Sequence, residues 1–283
     1  MILRARGFKK VTIIGVGLMG GSLGLAIKKS RIAREVAGMS QKKTSLDNAL
    51  KIKAIDTAFT DIGKAVHNAD MVVLATPVDT IIKMLALINP HLRRGCVITD
   101  IGSAKAEVVE AAEKTLRYPG LFVGSHPMVG SEKKGVLHAR DDLFEKAVCI
   151  MTPTKKTNQA AKAKVKFLWS KIGANIKYLD PEEHDKVLSY VSHLPHLISY
   201  GLMEIVPKEF LQYASTGFKD TTRIAASSPQ MWNDIFLANS SNIIKSLDEF
   251  VAQLSEFRKA IIEKDRKSLI SYCSIAKEKR DVL

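Results

Sequence analysis

With 283 residues, 46% of them hydrophobic, the chain can build one large domain or two ordinary ones with packed cores, which excludes a disordered or low-complexity polypeptide. Its formal net charge of +14 comes from basic pairs scattered along the sequence, among them Lys9-Lys10, Arg93-Arg94 and Lys155-Lys156. Without aromatic interleaving or a basic helix face these pairs read as a solvated surface and argue against a nucleic-acid partner.

Residues 1–7 are too short for a signal peptide ahead of the first strand. No apolar run approaches the roughly 18 residues of a membrane span, so a soluble cytoplasmic protein is expected. Cys96, Cys149 and Cys273 are odd in number, far apart and set in apolar surroundings, as expected of reduced core residues rather than of a disulfide framework.

Short β-branched runs at 11–14, 36–39, 71–75, 97–99, 121–123 and 148–151 alternate with helical patterns such as 20–30, 78–87 and 104–116. Strands joined by crossovers of that length pair in parallel and need helices on both faces. The pattern predicts an α/β Rossmann domain, with a doubly wound, mainly parallel sheet, over residues 1–153. After Thr152-Pro153 the texture changes: 155–171 is amphipathic, 175–178 is strand-like, and helical patterns then run to the end. Residues 154–283 are therefore expected to form an all-helical C-terminal domain. Within it, 184–206 is apolar on nearly every face, as in a helix buried against another subunit. Pro195 cannot donate to the Val191 carbonyl and should kink that helix. Residues 241–264 and 265–282 read as two further helices.

Gly15-Val16-Gly17-Leu18-Met19-Gly20 follows the first strand and opens the first helix. In that setting Gly15, Gly17, Leu18, Met19 and Gly20 bring backbone up to a pyrophosphate at the helix N-terminus, so a dinucleotide cofactor is expected. About 20 residues on, where an acid would hold the ribose hydroxyls of NAD, the chain has Ser40, Gln41, Lys42 and Lys43. A serine flanked by Lys42 and Lys43 suits a ribose phosphate and favours NADP over NAD; a solvated lysine pair is the other reading. Thr76 and Pro77 end the strand 71–75 and either line the nicotinamide half of the cleft or make a simple turn.

Ligands of open α/β sheets bind at the carboxyl ends of the strands. Asp100-Ile101-Gly102-Ser103-Ala104-Lys105 and Gly124-Ser125-His126-Pro127 are each expected to follow a strand there. Ser103 reads equally as the N-cap of the next helix or as an anion contact at its N-terminus. His126 is the candidate base, since an imidazole can take a hydroxyl proton while hydride leaves the same carbon. His193 and His196 share one helix face, with His184 on the same segment. No acid or cysteine completes a zinc spacing, so no metal is expected: His196 and His184 are read as pointing into the cleft and His193 as a hydrogen-bonded core residue. Arg223, in the polar island 219–223, either holds a carboxylate through two parallel bonds or is a solvent-exposed arginine at a helix start.

Taken in order, the glycine fingerprint, Thr76-Pro77-Val78, Asp100-x-Gly102-Ser103-x-Lys105, Gly124-Ser125-His126-Pro127-Met128-x-Gly130-Ser131-Glu132, Ser192-His193-Leu194-Pro195-His196, Gly217-Phe218-Lys219-Asp220-x-Thr222-Arg223 and Met231-Trp232 resemble the motifs of prephenate/arogenate dehydrogenases of tyrosine biosynthesis. The resemblance covers nearly all of the chain. It implies a Rossmann domain followed by a helical dimerisation domain, a homodimer, and a small dianionic substrate. The implied reaction is NAD(P)-dependent oxidative decarboxylation of prephenate to 4-hydroxyphenylpyruvate, or of arogenate to tyrosine. It also implies that His126 deprotonates the ring hydroxyl with Ser103 as a second catalytic residue, that Arg223 binds a substrate carboxylate, and that Ser103, Ser131, His184 and His196 line the pocket. The chain departs from the family pattern at Ser40, where an acid is usual, and at Ser131, where many relatives carry Thr. It is expected to leave no room for a further C-terminal sensing domain. Two other readings compete. A 3-hydroxyacid dehydrogenase would want a catalytic lysine where this chain has its histidine-proline helix, and a non-catalytic NADP-binding sensor would need neither His126 nor Arg223.

Overall fold

The computed structural model describes residues 7–130 and 133–282, so Ser131 lies outside the described residues. The chain enters on β1 (Phe8–Ile14), turns at Gly15 into α1 (Leu18–Lys29), and continues through β2 (Ala33–Met39), α2 (Lys43–Lys51), β3 (Thr57–Phe59) and α3 (Ile62–Val66). Next come β4 (Met71–Leu74), α4 (Val78–Ile88), β5 (Val97–Asp100), α5 (Ala106–Thr115), β6 (Phe122–Pro127) and β7 (Val148–Thr152), then α6 (Gln159–Lys171) and β8 (Asn175–Tyr178). Among the described residues these strands form one eight-stranded sheet in the order β3-β2-β1-β4-β5-β6-β7-β8. All pairs are parallel except β6 with β7.

Every residue of β4 is buried, as a parallel strand covered on both faces requires. Successive side chains alternate between two cores: Ile13 and Val73 pack with Leu23, Ile27 and Trp169, while Ile14 and Leu74 pack with Ile81, Leu85 and Val108. The strand order reverses between β1 and β4. The crevice at their carboxyl ends is where such sheets take ligands.

The α/β layer does not stop at Pro153. β8 pairs in parallel with β7 from Val148↔Asn175 to Met151↔Tyr178, and α6 buries Leu168 and Trp169 in the sheet's core. The boundary expected at 153/154 therefore moves to just after Tyr178. β8 is an edge strand with no buried residue, so its sequence lacked the alternation that would have tied it to the sheet.

The remainder is helical: α7 (Pro181–Leu188), α8 (Leu194–Ile205), α9 (Thr216–Thr222), α10 (Pro229–Ala238), α11 (Ser240–Ile262) and α12 (Arg266–Arg280). The single helix expected over 184–206 is α7 and α8 joined by a π-helical turn at Ser189–His193. Pro195 sits in the first turn of α8, and the widened turn accommodates it without a break. Nor is this segment covered all round within one chain, because Val191 is 64% and Ile205 76% exposed. Cys96 and Cys149 are buried, but Cys273 is exposed on α12, contrary to the core reading. α12 packs on α11 and leaves much of its own apolar surface open. No helix among the described residues is long and apolar enough to cross a membrane.

Candidate active site

At the end of β1, Gly15 holds φ +99°, and a Cβ there would lie 2.5 Å from the Ala75 carbonyl oxygen. A Cβ on Gly20 would fall 2.0 Å from the Gly15 carbonyl, so both glycines let the turn press against its own helix and against β4. Gly17 differs: nothing lies within 4 Å of its Cβ position. It is the N-cap of α1, with no side-chain cap and no acid in the first turn, so the open space faces bare amides. Leu18 and Met19 are half-buried beside it. Across the crevice the Thr76 hydroxyl is buried with no protein partner, and Pro77 is the N-cap of α4. An open cradle, an uncapped helix and an orphaned hydroxyl on the switch-point crevice fit a dinucleotide. At the end of β2 the Ser40 hydroxyl accepts the Lys42 amide at 3.2 Å, and Lys42 and Lys43 are exposed.

His126 is not in a loop after β6 but inside the strand, opposite Ile150 of β7. Antiparallel pairing with β7 prolongs β6 beyond Val123, where pairing with β5 ends. The imidazole is buried, and its Nδ1 lies 2.9 Å from His184 Nε2. His184 in turn places Nδ1 2.8 Å from Asp185 Oδ1. The Asp185 carboxylate accepts the backbone amides of Lys105 at 2.7 Å and Ala106 at 2.9 Å, the first turn of α5. Burial, with the charges of His184, Lys105 and His193, holds His126 well below the usual histidine range. Burial likewise lowers His184, against the pull of Asp185.

Behind β6 a second buried network supports this one. The Lys105 ammonium pairs with the Asp100 carboxylate, both side chains being wholly buried, and donates to the Ser125 carbonyl at 3.3 Å. Asp100 also accepts the Gly102 amide at 2.8 Å and the Ser125 amide at 3.1 Å, which ties the Gly102-Ser103 loop to the strand that carries His126.

On the helical side His193 is fully buried, its Nδ1 accepting from the Asn239 amide at 3.0 Å, and burial pushes its pKa down to about 4. Its Nε2 is buried and meets no hydrogen-bond partner among the described residues. His196 donates from Nδ1 to the Ser192 carbonyl at 2.9 Å and stacks on Trp232. Burial lowers its pKa against the opposing pull of the Ser192 carbonyl, and the positive charge of Arg223 adds to the lowering. Among the described residues no group of three His, Cys, Asp or Glu side chains is arranged to hold a metal ion.

Comparison with known proteins bears on this geometry. The family described as prephenate dehydrogenase, nucleotide-binding domain, matches residues 23–178, and prephenate dehydrogenase, dimerization domain, matches 180–274. A prephenate dehydrogenase of Bacillus subtilis is 37% identical over 96% of this chain and 76% of its own. The chain belongs to the prephenate dehydrogenase family. A cyclohexadienyl dehydrogenase of Zymomonas mobilis is 34% identical over 94% of this chain and 92% of its own. The crystal structure of prephenate dehydrogenase from Aquifex aeolicus, in complex with hydroxyphenyl propionate and NAD+, superposes with a TM-score of 0.90 at 35% identity, covering 96% of this chain and 97% of that one. The chain is thus an oxidoreductase with a Rossmann-type nucleotide-binding domain.

In this prephenate dehydrogenase family member the structure joins His126 to His184, and His193 and His196 through Trp232. Two expectations change. Ser103 is not the N-cap of α5, which starts at Ala106 with Lys105 in the cap position and Asp185 supplying the capping oxygens from the other domain. His184 does not point into the cleft: its side chain is wholly buried and both ring nitrogens are engaged, so it stands behind His126. Arg223 caps the C-terminus of α9 and is the first residue of a 3-10 turn, Arg223–Ala226, with its side chain exposed, as the solvent-exposed helix-start reading has it. Asp185, Asn239 and the Asp100–Lys105 pair escaped the sequence reading as site residues. An acid directly beside a histidine was the available signal for Asp185.

Proposed function

We propose that the enzyme oxidises and decarboxylates prephenate or arogenate, giving 4-hydroxyphenylpyruvate or tyrosine, as a cytoplasmic homodimer that prefers NADP. The observation that carries the reading is His126. It is a buried imidazole kept neutral on a strand that ends at the ligand crevice, with Nδ1 already committed to His184. Bound along the glycine cradle and Thr76-Pro77, a nicotinamide dinucleotide supplies the hydride acceptor. Departure of hydride together with carbon dioxide makes an aromatic ring, so the chain has mainly to orient the substrate and remove one proton. His126 takes the proton of the ring hydroxyl. Arg223 holds a carboxylate, and Ser103 and His196 line the pocket. The absence of a carboxylate at the end of β2, with Ser40 backed by Lys42 and Lys43, supports a 2′-phosphate there.

Absorbance at the reduced-nicotinamide band, with prephenate, arogenate and 3-hydroxy acids each offered with both cofactors, tests the assignment. Turnover of a 3-hydroxy acid alone, or of nothing, would overturn it.

A further inference from the structure

Donor and acceptor accounting along the buried chain from Asp185 to His126 fixes a proton position. Asp185 is 1% exposed, and each of its carboxylate oxygens receives a backbone amide, Oδ1 from Lys105 and Oδ2 from Ala106. Those amides open α5, whose cap residue offers no side-chain oxygen. Toward His184 the carboxylate is therefore an acceptor, and the hydrogen of the 2.8 Å contact sits on His184 Nδ1. A neutral imidazole carries one N–H, so His184 Nε2 is bare and accepts. The atom facing it at 2.9 Å, His126 Nδ1, must then donate. In a neutral His126 that leaves the lone pair on Nε2.

We propose that Asp185 is a positioning residue that, through His184, locks His126 in the Nδ1–H tautomer and presents the Nε2 lone pair to the substrate hydroxyl. This rests on His126 being the base. The same chain serves the protonated state: once Nε2 has taken a proton, the positive ring faces a lone pair backed by a carboxylate. Lys105, before α5, and His193, in the π turn, oppose a positive ring; Lys105 is itself paired with the Asp100 carboxylate, and Asp185 reaches the ring through His184.

Two measurements test the inference. In a long-range 1H–15N spectrum of the wild-type enzyme near neutral pH, His126 should show a protonated Nδ1 and an unprotonated Nε2; a proton on Nε2 would overturn the proposal, whether or not any variant folds. Asp185→Asn, which places an amide donor where an acceptor is needed, should lower kcat by about 10²-fold while KM for substrate and cofactor changes little. It should also shift the His126 ring signals toward the other tautomer. Wild-type kcat in Asp185→Asn beside an inactive His126→Asn would sink the relay and leave the base assignment standing. Full activity in His126→Asn would remove the base assignment itself, and the relay with it.

Discussion

His196 and Trp232 stack with ring centroids 3.6 Å apart and planes inclined by 25°. The stack fixes an imidazole whose Nδ1 is tied to the Ser192 carbonyl, so the neutral ring offers an acceptor at Nε2. Trp232 is buried, and Arg223 lies close enough to depress the histidine further. A neutral acceptor, a flat apolar wall and a cation within one patch suit a small ring bearing carboxylates.

Arg223 is the cation of that patch. Arg223→Ala should weaken substrate binding by on the order of 2 kcal/mol or more, and Arg223→Lys should not restore it, because an ammonium cannot make two parallel bonds. Cofactor affinity should stay constant. A loss in cofactor binding with an unchanged substrate constant would assign Arg223 to another site.

For His126 the sign of the pH effect follows from burial. Its pKa lies below the ordinary 6.5, and the neutral form is the one that accepts a proton, so kcat/KM should be flat through neutrality and fall only as acid protonates the ring. His126→Asn should remove that acid limb and lower turnover by about 10²- to 10⁴-fold. An acid limb that persists in the variant would belong to a different group.

The Asp100–Lys105 pair lends itself to a stability measurement. Lys105→Met leaves a wholly buried carboxylate without its counter-ion and should cost about 3–5 kcal/mol in chemical unfolding, whereas Asp100→Asn with Lys105→Met should recover part of that. A loss in the double variant equal to the sum of the losses in Lys105→Met and Asp100→Asn alone would mean that the pair contributes no coupling.

Quaternary structure can be read from the uncovered helices. Leu237, Ile244, Val251, Ile262 and Ile270, on α10 to α12, are each at least half exposed in one chain. A homodimer would bury them, and its unfolding midpoint should rise with protein concentration. A monomeric mass at micromolar concentration would contradict it.

Cofactor choice turns on Ser40. Ser40→Asp should lower the use of NADP and raise that of NAD by repelling the 2′-phosphate and gripping the free ribose hydroxyls. Better use of NAD by the wild type would mean that Lys42 and Lys43 serve only solvent.

The parts of this molecule that announce themselves locally were legible in its sequence. The glycine turn, the apolar strand β4 and the segment carrying His126 each depend on residues close together along the chain. What escaped depends on distance. Asp185 caps a helix 80 positions away, and nothing near it records that partner. β8 carries no buried residue, so only its register with β7 assigns it to the sheet. Which of His184, His193 and His196 is free to face ligand and which supports another is decided by what each second nitrogen meets, which the local sequence does not record.

The two amides that Asp185 caps belong to one folding unit and the carboxylate to the other. Swinging the units apart would strand both donors, at about 1–3 kcal/mol for each group left dry. Exchange of one unit for a foreign counterpart would therefore have to carry this carboxylate with it.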